Sequence, residues 1–383
     1  MKIVSTIVFL LTVYFLAGQD SDQVKKKWEV NGYLKNLESL TFDQILQENY
    51  SGYLLHNRLN IKYKPSDQWT VAAEFRNRFI WGEEVKLTPN YAVFLRNENE
   101  KINLQKVWID QPSLVLHTNI ERLYVDYHKR KYTVRIGRQR INWGLTTTWN
   151  PNDIFNTYNF LDFDYEERPG SDGAKFTYAF NEFSNAEIAY TQTGTEKGSV
   201  AAMRYSLNKG GYDMHFIAGW FNKHPTFGVG WAGNINEAGF KGEIQYFIPS
   251  KDSLCHLNIS SELDYLFAKG WYVNIGFLFT NTGLYKPVAN REEVNFKISP
   301  ENLMPTKWNV IITTSKELTP LFTASISTLY SPGINLMIVF PTLQYNIATN
   351  LDVNVVWQSL FLDLSNKFQA VTHRGFFRIK WSF

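Results

Sequence analysis

Two segments near the N-terminal end carry charged side chains at every second position. In LLHNRLNIKY these are His56, Arg58 and Lys62; in VAAEFRNRF they are Glu74, Arg76 and Arg78. On an extended chain, residues two apart share a face, so guanidinium and ammonium groups at this spacing form a row. A row of cations attracts and sorts anions by charge. The same phase recurs at Lys35, Arg122, Arg135, Lys175, Arg204, Arg378 and Lys380, with the acids Glu29, Asp126 and Glu187 among them. Further along, the charges in this phase become mainly acidic: Asp213, Glu243, Glu262, Asp264 and Asp352, with Lys241 as a basic exception.

Bond-making chemistry finds little support. There is no Gly-x-Ser-x-Gly elbow, no His-Glu-x-x-His helix and no phosphate-binding glycine loop. His56, His117, His215 and Asp126 have acid–base character, but nothing in the sequence places a nucleophile beside them, so the chain reads as no enzyme. A net charge of +3 gives no basic excess for nucleic acid. Cys255 is the single cysteine, which excludes an intrachain disulfide and a thiolate metal site. In DFDYEE, Asp162, Asp164 and Glu166 have the oxygen chemistry of a Ca²⁺ loop, but no glycine turn or complete ligand set accompanies them. The reading there is a solvated or arginine-paired loop, with no metal and no cofactor.

The elements that carry these rows must be long strands. WYVNIGFLF sets Trp271, Val273, Ile275, Phe277 and Phe279 against Asn274 and Gly276; LDVNVVWQ sets Leu351, Val353, Val355 and Trp357 against Asp352 and Asn354. Each segment has about the ten residues a tilted strand needs to cross a bilayer, longer than the five or six usual in a soluble sandwich. Mean hydropathy is −0.28, which argues against a bundle of membrane helices. Aromatic residues are 16% of the chain, with 12 Trp, 21 Tyr and 28 Phe, a heavy load for a soluble protein.

Connection lengths are sorted by parity. Every second one is a tight turn, such as HKR, NKGG or AKG; the others include long stretches at 37–51, 81–118, 142–172, 282–305 and 362–371. Short turns on one rim and long loops on the other are the organisation of an outer-membrane barrel. The fold expected is all-β: a single antiparallel transmembrane β-barrel of about 18 strands, with 16 or 20 as neighbouring counts. Residues 1–19 read as a cleaved signal peptide, with Lys2 before an apolar run ending near Gly18, and residues 20–383 as the barrel, its long extracellular loops at 81–118, 142–172 and 282–305. Trp28, Trp69, Tyr127, Trp220, Trp231, Trp271, Trp308, Tyr330, Tyr345 and Trp357 stand at or near segment ends, as the aromatic girdles of such a barrel do.

The chain stops at GFFRIKWSF, with Phe377, Ile379, Trp381 and Phe383 alternating with Arg378, Lys380 and Ser382. In hydrocarbon an open sheet edge leaves backbone groups unpaired, so the last strand must close on the first. The aromatic terminus resembles the signal by which outer-membrane proteins are handed to the barrel assembly machinery. Closure also joins the basic residues of the first strands and the last into one arc, facing the acids across a wide lumen.

One window is more specific. IGRQRINWG, WNPNDIF and EERPGSDG contain Gly137, Arg138, Gln139, Trp143, Gly144, Asn150, Pro151, Asp153, Phe155, Arg168, Pro169, Gly170 and Asp172. They resemble the series Gly-Arg-Gln, Trp-Gly, Asn-Pro-x-Asp-x-Phe, Arg-Pro-Gly-x-Asp of a group of bacterial outer-membrane porin-like barrels near the alginate-export type. Two positions depart from it: Asn156-Thr157 stands for a second Asn-Pro, and Gly173 for a usual Ala. The window covers about a tenth of the chain and implies fold and class rather than substrate. Arg138 and Arg140 fall on the lipid-facing phase, which a rim position or a bulge at Gly137 resolves. The loop 142–172 is expected to pack back into the lumen, with Arg138 and Arg140 pairing Asp153, Glu166 or Glu167. The functional expectation is an outer-membrane channel passing small polar, anionic solutes, its partners being membrane lipid, the assembly machinery and those solutes. The alternative is a non-transporting scaffold in a secretion or surface-assembly complex.

Overall fold

The computed structural model describes residues 26–383 except 97–99, 158–160, 162–166, 194–197, 250–253, 291–292, 295 and 365–366. The expected signal peptide, Glu166 and most of the acidic DFDYEE stretch lie outside the described residues. The strands are β1 (Trp28–Phe42), β2 (Asn49–Ser66), β3 (Trp69–Gly82), β4 (Gln105–Gln111), β5 (Leu114–Lys129), β6 (Tyr132–Gln139), β7 (Ser171–Asn181), β8 (Ser184–Gln192), β9 (Ser199–Lys209) and β10 (Tyr212–Phe221). They continue as β11 (His224–Ile235), β12 (Ala238–Phe247), β13 (His256–Leu266), β14 (Trp271–Thr280), β15 (Trp308–Thr319), β16 (Phe322–Ser331), β17 (Leu336–Ala348), β18 (Leu351–Leu364) and β19 (Lys367–Ser382). Two short helices, α1 (Glu83–Leu87) and α2 (Tyr91–Phe94), lie in the connection after β3.

Every strand pairs antiparallel with its neighbour, and β19 pairs with β1 from Tyr33↔Ser382 to Phe42↔His373. Gly32 and Phe383 exchange both backbone hydrogen bonds at 2.9 Å, so the ladder runs to the last residue of the chain. Of nineteen strands, β4 lies beside only the upper half of β5, and the remaining eighteen form the closed wall. Among the described residues the wall of eighteen strands closes on itself, as hydrocarbon requires.

The outward positions are apolar and exposed: Leu55, Ile136, Phe176, Ile188, Phe216, Val229, Ile275, Ile312, Leu343, Val355 and Phe377. Rings stack over the strand ends, with Trp28 on Tyr63 at 4.4 Å and Trp69 on Tyr127 at 4.6 Å near the tight turns, and Trp308 on Phe279 at 4.5 Å near the long loops. Trp381 and Phe377 face out; Arg378 and Lys380, between them, face in. The two-residue turns Gly210-Gly211 and Asn222-Lys223 have positive φ at both positions, a backbone hand that matches the twist of the flanking strands.

Two of the expected long loops are mostly strand. In place of 37–51 only residues 43–48 leave the ladder, because Leu37, Ser39 and Thr41 keep the inward phase up to the pair Phe42↔Asn49. In place of 362–371, β18 and β19 pair as far as Leu364↔Lys367. The connection 81–118 holds α1, α2, β4 and the first residues of β5. The wall is therefore tall at β18–β19–β1–β2 and low at β6–β7.

Strand phase makes a direct prediction. Val355→Arg, on the lipid face and paired to Leu343 and Phe377, is expected to cost about 2–4 kcal/mol in urea unfolding from lipid vesicles. Gln358→Arg, three residues on and facing the lumen, is expected to cost under about 1 kcal/mol; equal costs would contradict the assigned phase.

Candidate functional site

In the connection after β6, residues 140–157 enter the barrel and are fastened to the far wall by carboxylates. Glu243 of β12 accepts Thr146 N and Thr146 Oγ1 on Oε1 at 2.8 and 2.9 Å, and Asn152 N on Oε2 at 2.8 Å. Glu262 of β13 accepts Thr147 N and Thr148 N at 2.7 Å each. Carboxylate acceptors for backbone N–H groups are among the stronger hydrogen bonds a fold can use. Apolar contacts complete the docking. Ile141, Trp143, Ile154 and Phe155 pack on Ala189, Val200, Ala202, Ile217, Phe221 and Phe247 of β8–β12. Trp149 packs on Leu278 and Ile311 beside the connection that follows β14.

The motif residues fold this connection. Asp153 Oδ1 accepts Trp143 N and Gly144 N at 2.6 Å each, and its other oxygen pairs with Arg168. Arg168 also donates to Asn142 at 2.7 Å and to Asn150. Gly144 lies flat on Asn150, where a Cβ would come within 2.7 Å of it. Asn156 closes the base, accepting Ile141 N at 2.9 Å and donating to Ser171 at 2.8 Å.

The expected pairing of Arg138 and Arg140 with Asp153 is corrected. Arg138, 1% exposed, donates to Asp172 Oδ1 and Oδ2 at 2.9 and 3.0 Å and to Ile120 O at 2.9 Å, with Glu100 at 2.9 Å. Arg140 donates to Asn142 at 3.2 Å. Asp153 belongs to Arg168 because the loop doubles back on itself and sets residues 142, 150, 153 and 168 together. The cost of a charge in lipid phase at Arg138 is removed by cover from residues 100–102 and by its two carboxylates. Gly137 has φ +121°, a conformation only glycine adopts freely, two residues before β6 ends.

Basic residues stand along the adjacent strands β19, β1, β2, β3 and β5, and their exposure divides them. Arg58 and Arg122 are 2% and 4% exposed. Arg58 pairs with Glu121 and, at 2.5 Å, with Glu74; Arg122 donates to the carbonyls of Glu121 and Arg168. Arg76 pairs with Glu121 at 3.1 Å and touches His56 at 3.2 Å. Arg78 meets His117 at 3.2 Å and Leu95 O at 3.0 Å, Arg378 donates to Asn354 at 2.8 Å, and the Lys380 ammonium sits 5.6 Å from the Tyr33 ring. Lys62, Arg78, Arg378 and Lys380 keep part of their surface in the lumen.

Elsewhere the charges pair locally: Arg135 with Asp126 at 2.6 Å, Lys175 and Arg204 with Glu187 at 3.2 and 3.8 Å, and Lys241 with Asp264 at 3.4 Å. Asp213 is exposed near a tight turn and accepts Asn208 at 2.8 Å; Asp352 stands opposite Lys380 in the ladder. Glu243 and Glu262 face inward but are spent on the loop. Glu121 is the residue that strand phase overlooked. A bulge in β5, between the pairs Glu74↔Arg122 and Phe75↔Ile120, turns Glu121 and Arg122 to the same side. The adjacent pair Glu-Arg within an otherwise alternating run was its sequence signal.

Above the arc, α1, α2, Leu161, Val294 and Phe296 bound a cavity of about 1250 Å³ against β1–β3 and β17–β19. No family model and no curated protein matches the chain. Solved structures do. Outer membrane protein OprD of Pseudomonas aeruginosa superposes with TM-score 0.61 at 7% identity, covering 95% of this chain and 98% of that one. OccAB4 of Acinetobacter baumannii gives 0.60 at 10% identity over 95% and 100%, and OpdQ of Pseudomonas aeruginosa gives 0.58 at 9% over 94% and 99%. At such identities the likeness is one of fold, and the architecture is that of a bacterial outer-membrane, porin-like β-barrel.

If Glu243 and Glu262 hold the loop, Glu243→Ala/Glu262→Ala removes the acceptors of the backbone N–H groups of residues 145–148 and 152. Hydrogen exchange of the barrel in lipid is expected to show these amides losing protection about 100-fold, the equivalent of roughly 3 kcal/mol, with β8–β9 unchanged. Unchanged protection at these amides would show that apolar contact alone docks the loop.

Proposed function

We propose that the protein is an outer-membrane channel for passive diffusion of small polar, anionic solutes. The carrying observation is the basic arc. Lys62, Arg78, Arg378 and Lys380 stand on adjacent strands and offer solvent-facing cations, while Glu74 and Glu121 are occupied by Arg58 and Arg76. A lumen biased in this way lowers the barrier to anions and raises it for cations. The loop 140–170 narrows the bore, which makes charges on the opposite wall count for more because fewer waters screen them. Arg140, Trp143, Asn150, Asp153 and Arg168 build that constriction. Residues 1–19 would direct export, and the terminal aromatic strand would present the chain to the assembly machinery.

The histidines that could have served catalysis are engaged otherwise: His56 by Arg76, His117 by Arg78, and His215 by the Trp143 carbonyl at 3.2 Å. That supports transport over turnover.

Arg378→Gln/Lys380→Gln removes two lumen-facing cations of the arc. In planar bilayers the ratio of anion to cation permeability is expected to fall at least about twofold relative to the unmodified channel. An unchanged ratio discards the arc as the selecting element.

A further inference from the structure

The lipid-facing surface of β14–β16 ends, toward the long loops, in a group of rings and lysines. Phe277 and Phe279 of β14 hold their ring centroids 5.9 and 4.5 Å from that of Trp308 on β15. The connection between these strands returns along its own start: Leu284 bridges Thr306, and Lys307 N donates to Leu284 O at 2.9 Å. Tyr285 and Lys307 are thereby set side by side next to Phe279. Tyr285 is held out from the wall by Gly333 of the β16–β17 turn, where even a Cβ would come within 2.7 Å of its Cα, and 59% of its surface is exposed.

Two ammonium groups meet this one ring. Lys307 Nζ lies 5.3 Å and Lys286 Nζ 5.4 Å from the Tyr285 centroid, and Lys307 Nζ lies 5.9 Å from that of Phe279. Neither lysine forms an ion pair among the described residues. The rings attract the cations, but two like charges drawn to one face repel each other. An anion between them removes that repulsion; a neutral headgroup does not. By contrast Lys316, the one basic residue within the three strands, stands at their tight-turn end with its ammonium 5.0 Å from the Trp271 ring. A lysine beside one interfacial aromatic is an ordinary anchor, its stem on apolar surface and its head at the headgroup level.

We infer that the Lys286–Tyr285–Lys307 group is a binding site for a phosphorylated glycolipid of the outer leaflet. A phosphate sits between the two ammonium groups, the sugar that carries it lies on the exposed Tyr285 ring, and the acyl chains run down Phe277, Ile275 and Ile312. Long loops mark the outward rim of such a barrel, which fixes the leaflet. The group is continuous with the hydrocarbon-facing wall, where Ile275 and Ile312 pair and are both exposed, so the anion that fits it brings acyl chains of its own. The site faces lipid rather than the lumen and stands whether or not the bore conducts.

Native mass spectrometry of the protein released from detergent micelles counts bound lipid directly. Bisphosphorylated lipid A is expected to reach half occupancy at concentrations about tenfold below the same lipid stripped of both phosphates. Lys286→Gln/Lys307→Gln is expected to raise the concentration of lipid A needed about tenfold, while Lys286→Arg/Lys307→Arg keeps it within about twofold. Lys316→Gln, which removes a lipid-phase charge at the opposite rim, is expected to change nothing. Binding that the glutamine pair retains, or that the arginine pair or Lys316→Gln loses to the same extent, overturns the site. So does phosphatidylglycerol that binds as tightly as lipid A and is lost equally in the glutamine pair, because the lysines are then a general anchor for anionic lipid.

Discussion

The pairing of β19 with β1 is the constraint from which the rest follows. A backbone N–H or C=O without a partner in hydrocarbon costs several kcal/mol, so a sheet that crosses a bilayer closes or does not cross. Here closure extends to the last residue, where Phe383 exchanges hydrogen bonds with Gly32. Once the ring is closed, the phase of each strand is set: what faces lipid must be apolar, and what is left faces water. The basic rows on the first strands and on the last become neighbours only through that seam.

Eighteen strands enclose more space than wall side chains can fill. The chain fills part of it with its own loops, and the manner is economical. Two wall carboxylates, Glu243 and Glu262, take up the backbone N–H groups of residues 145–148 and 152, which would be unpaired had they been buried against apolar wall. Within the loop, Asp153, Arg168, Asn150 and Asn142 satisfy one another. The loop is thus held mainly by acceptors on one side of the lumen.

Much of the architecture was legible because period two is a direct consequence of strand geometry. Alternation in segments such as WYVNIGFLF and the sorting of connection lengths carry the strand count and the sidedness. What was less legible has physical causes. Wall height was underestimated at 37–51 and 362–371, because pairing with a neighbour sustains a strand through residues that alternate weakly. The bulge that turns Glu121 inward is invisible to a strict period. Loop pairing was misassigned, since which arginine meets Asp153 depends on how the chain doubles back, and Arg138 and Arg168 are equivalent as letters. The short strand β4 has no alternation to mark it, as only half of its neighbour supports it. The motif series, by contrast, pointed to residues that do meet in space.

The central claim is that a hydrated, positively biased bore runs through this barrel. The reversal potential of the unmodified protein in a planar bilayer under a potassium chloride gradient tests it most directly. The account predicts a steady conductance and a potential of the sign set by chloride moving faster than potassium; a barrel that passes no current, or one whose potential has the potassium sign, contradicts it.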